Sequence, residues 1–354
     1  MYHGKTVGVV VPAYNEERLV GAVIDTIPAL VDRTYVVDDH SSDGTWEEIK
    51  THAARANNRA ANAYTEDGVK LISADGGVSP EMRVVPIRHP ANRGRGAAVK
   101  TGYRHALEDD IDIIVVMDGD GQMDPDILTH IIDPVVYGTA DYAVGDRLAG
   151  PLYWRGMPPW RLFGNGLLSG LTRIASGYWH IRDPQNGYTA ISAETLEDLD
   201  FDRLYDQYGF LNDLLVKLNV AGKRVATVPM YARYGDEESG IRYSSFVPGL
   251  SYLLLKNFLW RLRAKYLSGR AHPAAILYIL GAVSVFLSVF RPDRKQTSQA
   301  PYGPISKIAV GVASLVGAML LDKRSNEHLR IELDVPDSFK TERDNAEADA
   351  QEQG

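Results

Sequence analysis

The chain has 354 residues, of which 45% are hydrophobic and 24% charged, so it is long enough for one large domain and additional segments. It contains no cysteine, which excludes disulfides, zinc–thiolate sites and thiol nucleophiles. The formal net charge is −8. Residues 331–354 hold eight acids against two bases, or −6, which leaves the rest of the chain near −2. This balance gives no basic field, and no nucleic-acid partner is expected.

The chain begins with two units of strand, loop and helix. Apolar runs predict strands at Thr6–Val11 and Thr34–Val37, followed by helices that end near Leu30 and Ala54. Both loops are acidic and polar, and they follow the carboxyl ends of the strands. This is the arrangement that a nucleotide site on a parallel sheet needs.

Side chains in these two loops suit a nucleotide. Tyr14 can lie against a base, and Asp39 can accept a hydrogen bond from a base N–H or a ribose hydroxyl. No glycine-rich phosphate loop follows either strand. A bound diphosphate would therefore need a metal ion from elsewhere in the chain.

The next segment is polar and then glycine-rich. Residues 57–82 are expected to form a surface insertion, and a third strand is predicted at Arg83–Ile87. The run from Asn92 to Gly96 opens a helix that reaches about Leu107. Its glycines either start the helix only, or let the backbone approach a sugar nucleotide with Asn92 as a polar contact.

The most informative stretch is Ile111–Leu128. Asp112–Met117 is predicted to be a strand buried on both faces, and it leads directly into Asp118 and Asp120. Two carboxylates two residues apart can face one hard cation, and that cation can bridge a diphosphate. A plain Asp/Gly-rich turn is the alternative. Asp124 is the expected N-cap of the helix that follows.

A calcium-binding loop is excluded for this stretch. Asp118, Asp120 and Gln122 fit its first three alternate positions, but Met123 stands where glycine is needed and Thr129 where glutamate is needed. The lack of a glycine-rich phosphate loop earlier in the chain favours the metal and diphosphate interpretation.

The remainder of the domain is rich in arginine. A strand at Asp141–Gly145 ends in Asp146 and Arg147, and residues 160–174 form an amphipathic segment. That segment is either an ordinary surface helix or a membrane-facing helix that guides an acceptor's phosphate and lipid. After a last strand, Arg233 and Arg242 are either exposed loop residues or cations that close over a diphosphate.

The character of the sequence changes near residue 246. Residues 246–270 mix apolar and basic side chains, which favours a helix lying on an anionic membrane surface. Residues 271–290 and 304–321 are each long enough to span a bilayer, with a buried pair of core helices as the alternative. Lys323 and Arg324 place both chain ends in the cytoplasm. Residues 322–354 are expected to form an acidic, disordered tail.

Four motifs in order resemble those of family 2 glycosyltransferases of the GT-A fold, most closely the dolichyl-phosphate mannose synthase-like or polyprenyl-phosphate hexosyltransferase group. The resemblance covers about residues 6–245. It implies an α/β fold with a mostly parallel, Rossmann-like sheet flanked by helices, here followed by a two-helix transmembrane hairpin. The motifs are Val11-Pro12-Ala13-Tyr14-Asn15-Glu16, Val37-Asp38-Asp39-His40-Ser41-Ser42-Asp43-Gly44-Thr45, Asn92-Arg93-Gly94-Arg95-Gly96 and Met117-Asp118-Gly119-Asp120.

The resemblance also implies roles for individual residues. The predicted nucleotide contacts are Pro12, Tyr14, Glu16, Val37 and Asp39, and the donor and Mg²⁺ or Mn²⁺ site consists of Asp118, Gly119, Asp120 and Gln122. Basic positions near the phosphates and the acceptor are Arg147, Arg233 and Arg242.

Two positions and one segment depart from the family pattern. His40 stands where the family usually has glycine, which predicts a different bend in that turn. Gly119 replaces a common alanine, which should be tolerated. The segment Gln185–Tyr188 is closer to bacterial and archaeal lipid-linked sugar transferases than to the mannose-specific branch.

The expected function is inverting transfer of a hexose from a UDP- or GDP-sugar to dolichyl or polyprenyl phosphate by a multi-pass cell-membrane enzyme, for protein or cell-surface glycosylation. An anionic lipid phosphate needs no general base, whereas a sugar hydroxyl would need one, with Asp183 or Asp213 as candidates. Extension of a lipid-linked glycan is the alternative. A catalytically silent sugar-nucleotide-binding membrane protein is a third. The oligomeric state is left open.

Overall fold

The computed structural model describes residues 1–65, 82–150, 153, 159–231, 243–269, 271–290, 304–331 and 333. Arg233, Arg242, most of the acidic tail and the connection between the last two long helices lie outside the described residues. The predictions made for those segments therefore have no structural counterpart here.

A mixed β-sheet forms the centre of the catalytic domain. Its spatial order in the described residues is β3-β2-β1-β4-β6-β5-β7-β8, and only β6 runs antiparallel to its neighbours. The strands are β1 Val7–Ala13, β2 Arg33–Asp38, β3 Val84–Arg88, β4 Ile113–Val116, β5 Tyr142–Asp146, β6 Thr189–Ser192, β7 Val225–Pro229 and β8 Arg330–Ile331.

Helices cover both faces of the sheet, as the sequence predicts. They are α1 Val20–Thr26, α2 Thr45–Thr65, α3 Arg95–Glu108, α4 Leu128–Val136, α5 Pro159–Ser176, α6 Ala193–Asp198, α7 Phe210–Val220, α8 Tyr243–Arg261, α9 Pro273–Phe290 and α10 Pro304–Asn326. Helix α8 continues as a π-helical turn, Leu262–Tyr266.

Two hydrophobic cores lie on opposite faces of the sheet. On β4, Ile113 and Val115 join the core under α1, α2 and α4, whereas Ile114 and Val116 join the core under α3 and α7. All four side chains are buried. Burial on both faces explains why this strand reads as an unbroken apolar run.

Two helix ends differ by several residues from the sequence prediction. Helix α1 ends at Thr26, because Pro28 drives the preceding Ile27 into an extended conformation. Helix α2 continues to Thr65, so the insertion expected from residue 57 is wrong for its first nine residues. The Asn57 side chain there exchanges two hydrogen bonds with the Val84 backbone on β3, at 2.8 and 2.9 Å.

Helices α9 and α10 pack as an antiparallel hairpin. The Ser284 hydroxyl donates to the Lys307 carbonyl at 3.0 Å, and a Cβ at Gly281 would stand 2.9 Å from the Gly311 carbonyl. Small residues at such a crossing let two helices approach closely.

One helix among the described residues, Pro273–Phe290, is long and apolar enough to cross a membrane. Its mean hydropathy is 2.2, and 28% of it is buried inside the protein, which differs from a core helix. The expected pair of membrane spans therefore has one candidate in the structure. Large apolar side chains on α9 face outward, including Leu280, Phe286 and Phe290.

Candidate active site

Three polar loops meet at one edge of the sheet. The Asp39 amide donates to the Ala13 carbonyl at 2.9 Å, and the Gly119 amide donates to the Pro12 carbonyl at 3.1 Å. These bonds extend the parallel pairing of β1 with β2 and β4 beyond the strand ends. The loops that follow β1, β2 and β4 therefore lie side by side, as the sequence predicts.

The loops after β1 and β2 are tied together by short hydrogen bonds. The Glu16 amide donates to Thr45 Oγ1 at 2.7 Å, and the Asn15 amide donates to Ser41 Oγ at 2.9 Å. Asn15 has a φ of 56°, a left-handed conformation that aspartate and asparagine tolerate. Tyr14 is 48% exposed beside this turn, so its ring is available to a ligand.

Two of the three buried nucleotide contacts among the predicted ones, Pro12 and Val37, lie within strands. Val37 is 0% exposed, and Pro12 is also buried. Both belong to the sheet, so a nucleotide could meet them only through their backbone atoms. The predicted contacts of Pro12 and Val37 with the nucleotide stay predictions.

Asp39 is buried and holds a neighbouring loop. Its carboxylate accepts from the backbone amides of Arg93 at 2.8 Å and Gly94 at 2.6 Å, and His89 Nδ1 lies 2.7 Å away. Burial acts to raise the pKa of Asp39, but these hydrogen bonds together hold it below its usual value. The observed role of Asp39 is to join the end of β2 to the start of α3, and its recognition of a base stays a prediction.

His40 has a φ of 64°, which is the backbone region that favours glycine. The sequence led us to expect a different bend where histidine replaces glycine. The histidine adopts the left-handed conformation itself, and its Nδ1 lies 3.3 Å from the His89 carbonyl. A bend different from that of relatives with glycine stays a prediction.

Asp118 forms an ion pair with Arg95 from the first turn of α3. Arg95 Nε donates to Asp118 Oδ1 at 2.8 Å, and Arg95 Nη2 lies 2.7 Å from the same oxygen within the ion pair. Both side chains are largely buried, with 18% and 22% of their surfaces exposed. Gly187 packs directly on the pair, because a Cβ there would overlap Arg95 Nη2 and Asp118 Oδ2.

Sequence reasoning did not assign a function to Arg95. Its motif places it at the start of a helix whose preceding strand, β3, lies in the same parallel sheet as β4. That arrangement brings the start of α3 to the sheet edge where Asp118 lies. The pairing of Arg95 with Asp118 could therefore have been inferred from the sequence, because the predicted topology places this arginine beside the paired carboxylates.

Asp120 and Gln122 form a tight turn beyond β4. The Gln122 amide donates to Asp120 Oδ1 at 3.0 Å, and Gly121 between them has a φ of 72°. Asp124 caps the next helical turn by accepting from the Asp126 amide at 3.0 Å, as predicted. Near Gly119, an added Cβ would stand 3.2 Å from Ala13 Cβ, a tight contact that a small shift relieves.

The described residues contain no cluster of three or more His, Cys, Asp or Glu side chains that could hold a metal ion. Asp118 and Asp120 offer two carboxylates on one turn. Mg²⁺ commonly binds through one or two carboxylates plus substrate phosphates rather than in an all-protein cage. The donor set therefore fits a divalent ion whose coordination a diphosphate would complete.

The glycines at the start of α3 serve packing inside the protein. A Cβ at Gly96 would overlap the Tyr205 carbonyl, and one at Gly94 would stand 2.6 Å from the Asp206 carbonyl. Gly94 also has a φ of 96°. These glycines leave room for the loop at residues 205–207, which supports their structural role. The approach of a sugar nucleotide to this backbone stays a prediction. Asn92 is exposed and stays a predicted contact.

That loop also carries a site residue that sequence reasoning missed. Tyr208 is 49% exposed. Burial raises its pKa, and four predicted or observed site residues lie close enough for their charges to act on it, namely Arg95, Asp118, Glu16 and Tyr14. Tyr208 therefore lies near these residues at the sheet edge.

Two crossed ion pairs form the other side of the site. Arg147 donates to both carboxylate oxygens of Asp183, through Nε at 2.6 Å and Nη2 at 3.1 Å. The adjacent Arg182 donates to Asp146 at 2.7 Å. Both carboxylates are buried, and burial raises the pKa of Asp146. The pairs fix Arg147 at the end of β5.

Neither candidate general base is a free carboxylate. Asp183 is held by Arg147, as above. Asp213 is 4% exposed and accepts from the Tyr205 amide at 3.0 Å and from Asn257 Nδ2 at 2.9 Å. Asp213 thus joins α7 to α8. The expectation that either residue could act as a base is therefore not supported by the geometry.

A mostly parallel sheet with acidic loops at one edge is typical of the GT-A fold. The chain belongs to glycosyl transferase family 2, whose model matches residues 8–200. A mannosyl-3-phosphoglycerate synthase from Rubrobacter xylanophilus shares this fold, with a TM-score of 0.50 and 19% identity over 73% of this chain and 74% of that one.

Two relatives of known name cover most of the catalytic domain. A UDP-N-acetylglucosamine–dolichyl-phosphate N-acetylglucosaminyltransferase of Methanococcus voltae is 29% identical over 236 residues, which are 65% of this chain and 88% of the relative. An undecaprenyl-phosphate mannosyltransferase of Micrococcus luteus is 30% identical over 226 residues, 62% of this chain and 81% of the relative.

Proposed function

We propose that the protein is a membrane-bound, inverting glycosyltransferase that moves a hexose from a UDP- or GDP-sugar to dolichyl or polyprenyl phosphate. The names of the relatives from Methanococcus and Micrococcus support a lipid-phosphate acceptor, with different sugars on the donor. The product would be a lipid-linked sugar that feeds protein or cell-surface glycosylation.

The observation that carries the proposal is that both acceptor-side carboxylates are already bonded to other groups of the protein. Asp183 is bonded in a bidentate manner to Arg147, and Asp213 is buried under two hydrogen bonds. Transfer to a sugar hydroxyl needs a base that can take the hydroxyl proton. A phosphate monoester is already anionic near neutral pH, so its oxygen can attack without one.

On the donor side, Asp118, Asp120 and Gln122 would hold Mg²⁺ or Mn²⁺. When bound, that ion would stabilise the negative charge of the leaving nucleoside diphosphate. Arg95 neutralises Asp118 and holds its carboxylate in one orientation. Tyr14, Glu16 and Asp39 would contact the nucleotide.

On the acceptor side, Arg147 would orient the lipid phosphate for in-line attack on the anomeric carbon. Its guanidinium is 25% exposed while its partner Asp183 is 4% exposed, so the cation faces outward from a buried anchor. Arg233 and Arg242 would add positive charge around the phosphates. The resulting single displacement would invert the anomeric configuration.

The C-terminal helices would hold the domain at the membrane. Helix α8 packs Leu250, Leu253 and Leu254 against α5, while its opposite face exposes Leu255 and Leu259. With α9 and α10 as a bilayer hairpin, the catalytic domain would lie in the cytoplasm, on the side of Lys323 and Arg324.

The test is sugar transfer by membranes that carry the protein. They are incubated with labelled UDP- and GDP-sugars, Mg²⁺ or Mn²⁺, and two acceptors, a short polyprenyl phosphate and a prepared lipid-linked sugar. A lipid product that mild acid cleaves supports the proposal. Label that enters only a prepared lipid-linked sugar would contradict it and favour glycan extension.

A further inference from the structure

A buried polar cluster lies where the helical hairpin meets the catalytic domain. Arg261, at the end of α8, donates through Nη1 and Nη2 to both oxygens of Asp322 on α10, each at 2.9 Å. Both side chains are 0% exposed. We call the cluster formed by Trp179, Arg261, Tyr266, Asp322 and Asn326 the polar joint.

Arg261 also caps helix α5. Its Nε donates to the Ala175 carbonyl at 2.9 Å, and its Nη2 donates to the Ile174 carbonyl at 3.0 Å. Carbonyls in the last turn of a helix lack partners within the helix, and a cation there complements the helix dipole. One guanidinium therefore bonds α5 and α10 at the same time.

Asp322 is bonded by three further side chains. Its carboxylate accepts from the Tyr266 hydroxyl at 2.5 Å, Asn326 Nδ2 at 3.0 Å and Trp179 Nε1 at 3.2 Å. Removing one member of such a buried pair leaves an uncompensated charge. The joint therefore specifies one arrangement of these helices.

The backbone at the end of α5 fits the joint. Gly177 has a φ of 81°, and a Cβ there would stand 2.5 Å from Arg261 Nη1. Only a glycine turn leaves room for the guanidinium at this point.

Helix α5 in turn fixes the acceptor-side ion pairs. Arg173 Nε donates to the Ile181 carbonyl at 2.7 Å, and the Ser169 hydroxyl donates to the Arg182 carbonyl. These bonds hold the segment that carries Asp183, and Asp183 holds Arg147. A continuous set of hydrogen bonds thus runs from α10 through α5 to Arg147.

We propose that the polar joint positions Arg147 relative to the bilayer by fixing α5 to the hairpin. Arg261 and Asp322 are positioning residues, remote from the reacting atoms. The inference rests on the proposed transfer to a lipid phosphate. Loss of the polar joint should therefore slow transfer to one kind of acceptor only. An acceptor embedded in a bilayer needs the polar joint, whereas a short, water-soluble acceptor can reach Arg147 without it.

The test uses the full chain in lipid vesicles, with Arg261→Lys and Asp322→Asn as variants. Arg263→Lys is the matched control, because Arg263 is exposed two residues away. Rates are compared for long-chain polyprenyl phosphate in the vesicles and for a short soluble polyprenyl phosphate. The ratio of long-chain to short-chain kcat/KM should fall at least about tenfold in the joint variants and stay unchanged in the control. An unchanged ratio, or equal loss on both acceptors, would overturn the proposal.

Hydrogen exchange provides a second test of the polar joint that does not depend on enzyme activity. The Gly177 amide donates to the Arg173 carbonyl at 2.8 Å, so its exchange rate reports on the end of α5. The joint variants should speed exchange at the ends of α5 and α10 together, with β1 and β4 unaffected. If β1 and β4 also exchange faster, the fold itself is damaged, and the paired Arg261→Met/Asp322→Leu variant replaces the single ones.

The outcomes separate the two proposals. Wild-type protein that glycosylates neither acceptor contradicts the proposed function. In that case the hydrogen-exchange rates still test the proposal for the polar joint. Faster exchange at both α5 and α10 in the joint variants supports it, and an unchanged exchange rate at α5 overturns it.

Discussion

Substitution of Gly187 by alanine should disable the donor side of the site without a change in any charged residue. The new Cβ would overlap both Arg95 Nη2 and Asp118 Oδ2, so these side-chain ends must shift, and we expect the shift to weaken the ion pair. Gly187 does not have a positive φ, so alanine is compatible with its backbone. The effect should therefore come from the lost pair.

The size of the effect follows from the Nε hydrogen bond of that pair, at 2.8 Å, and from the ion-pair contact of Nη2 with the same oxygen, at 2.7 Å. Loss of about 2–3 kcal/mol of charge-assisted hydrogen bonding corresponds to a fall of about 30- to 150-fold in kcat/KM for the donor. Initial rates at varied donor concentration measure it, and circular dichroism checks the fold.

A matched control is Gly119→Ala, on the same sheet edge. Its Cβ would stand 3.2 Å from both Ala13 Cβ and the Pro12 carbonyl oxygen, farther than the overlapping contacts at Gly187, so we expect kcat/KM to stay within about threefold of wild type. Arg95→Gln added to Gly187→Ala should cost little more than either change alone, because both break the same pair. A folded Gly187→Ala protein with wild-type kcat/KM would refute the reasoning.

Four further predictions test other parts of the account. Asp120→Ala should abolish turnover and leave the thermal unfolding midpoint near wild type; retained activity would remove Asp120 from the metal site. His40→Gly should raise the free energy of unfolding by about 0.5–1 kcal/mol, because glycine relieves the left-handed backbone, and a loss of stability in chemical denaturation would contradict this. Hydrogen bonds lower the pKa of Asp39 despite its burial, so the stability they provide is present above about pH 4 and is lost as the pH falls through the folded-state pKa. Asp39→Asn should therefore be less stable than wild type at pH 7 and approach it in acid; a constant difference at all pH values would be inconsistent. Asp183→Asn should raise the acceptor KM about tenfold through loss of the Arg147 anchor and keep the acidic limb of the kcat–pH profile, whereas loss of that limb would identify Asp183 as a base.

The fold was largely predictable from the sequence because its signals are local. Unbroken apolar runs marked β1 and β4, and each led into a polar loop. Parallel strands place their carboxyl ends at one edge, so Tyr14, Asp39 and Asp118 could be assigned to one site before any coordinates. Asp124 was predicted as a cap from its position before Pro125.

The partners of the site residues could not be predicted because they are distant in the sequence. Gly94 and Gly96 looked like a substrate cradle, but their neighbour is a loop more than a hundred residues further along the chain. Asp183 and Asp213 are chemically suited to be bases, and only packing shows that other groups already bind them. The fully buried Arg261 looked like one of several basic side chains on a membrane surface, whereas it is the centre of an internal ion pair.

The most direct test of the account is a competition between the two possible acceptors. Purified protein is incubated with one nucleotide sugar, Mg²⁺ or Mn²⁺, and equal amounts of polyprenyl phosphate and a prepared lipid-linked sugar. The masses of the products are then measured by mass spectrometry. The account predicts a polyprenyl monophosphate that carries one added hexose. A lengthened glycan with the polyprenyl phosphate unchanged would contradict it.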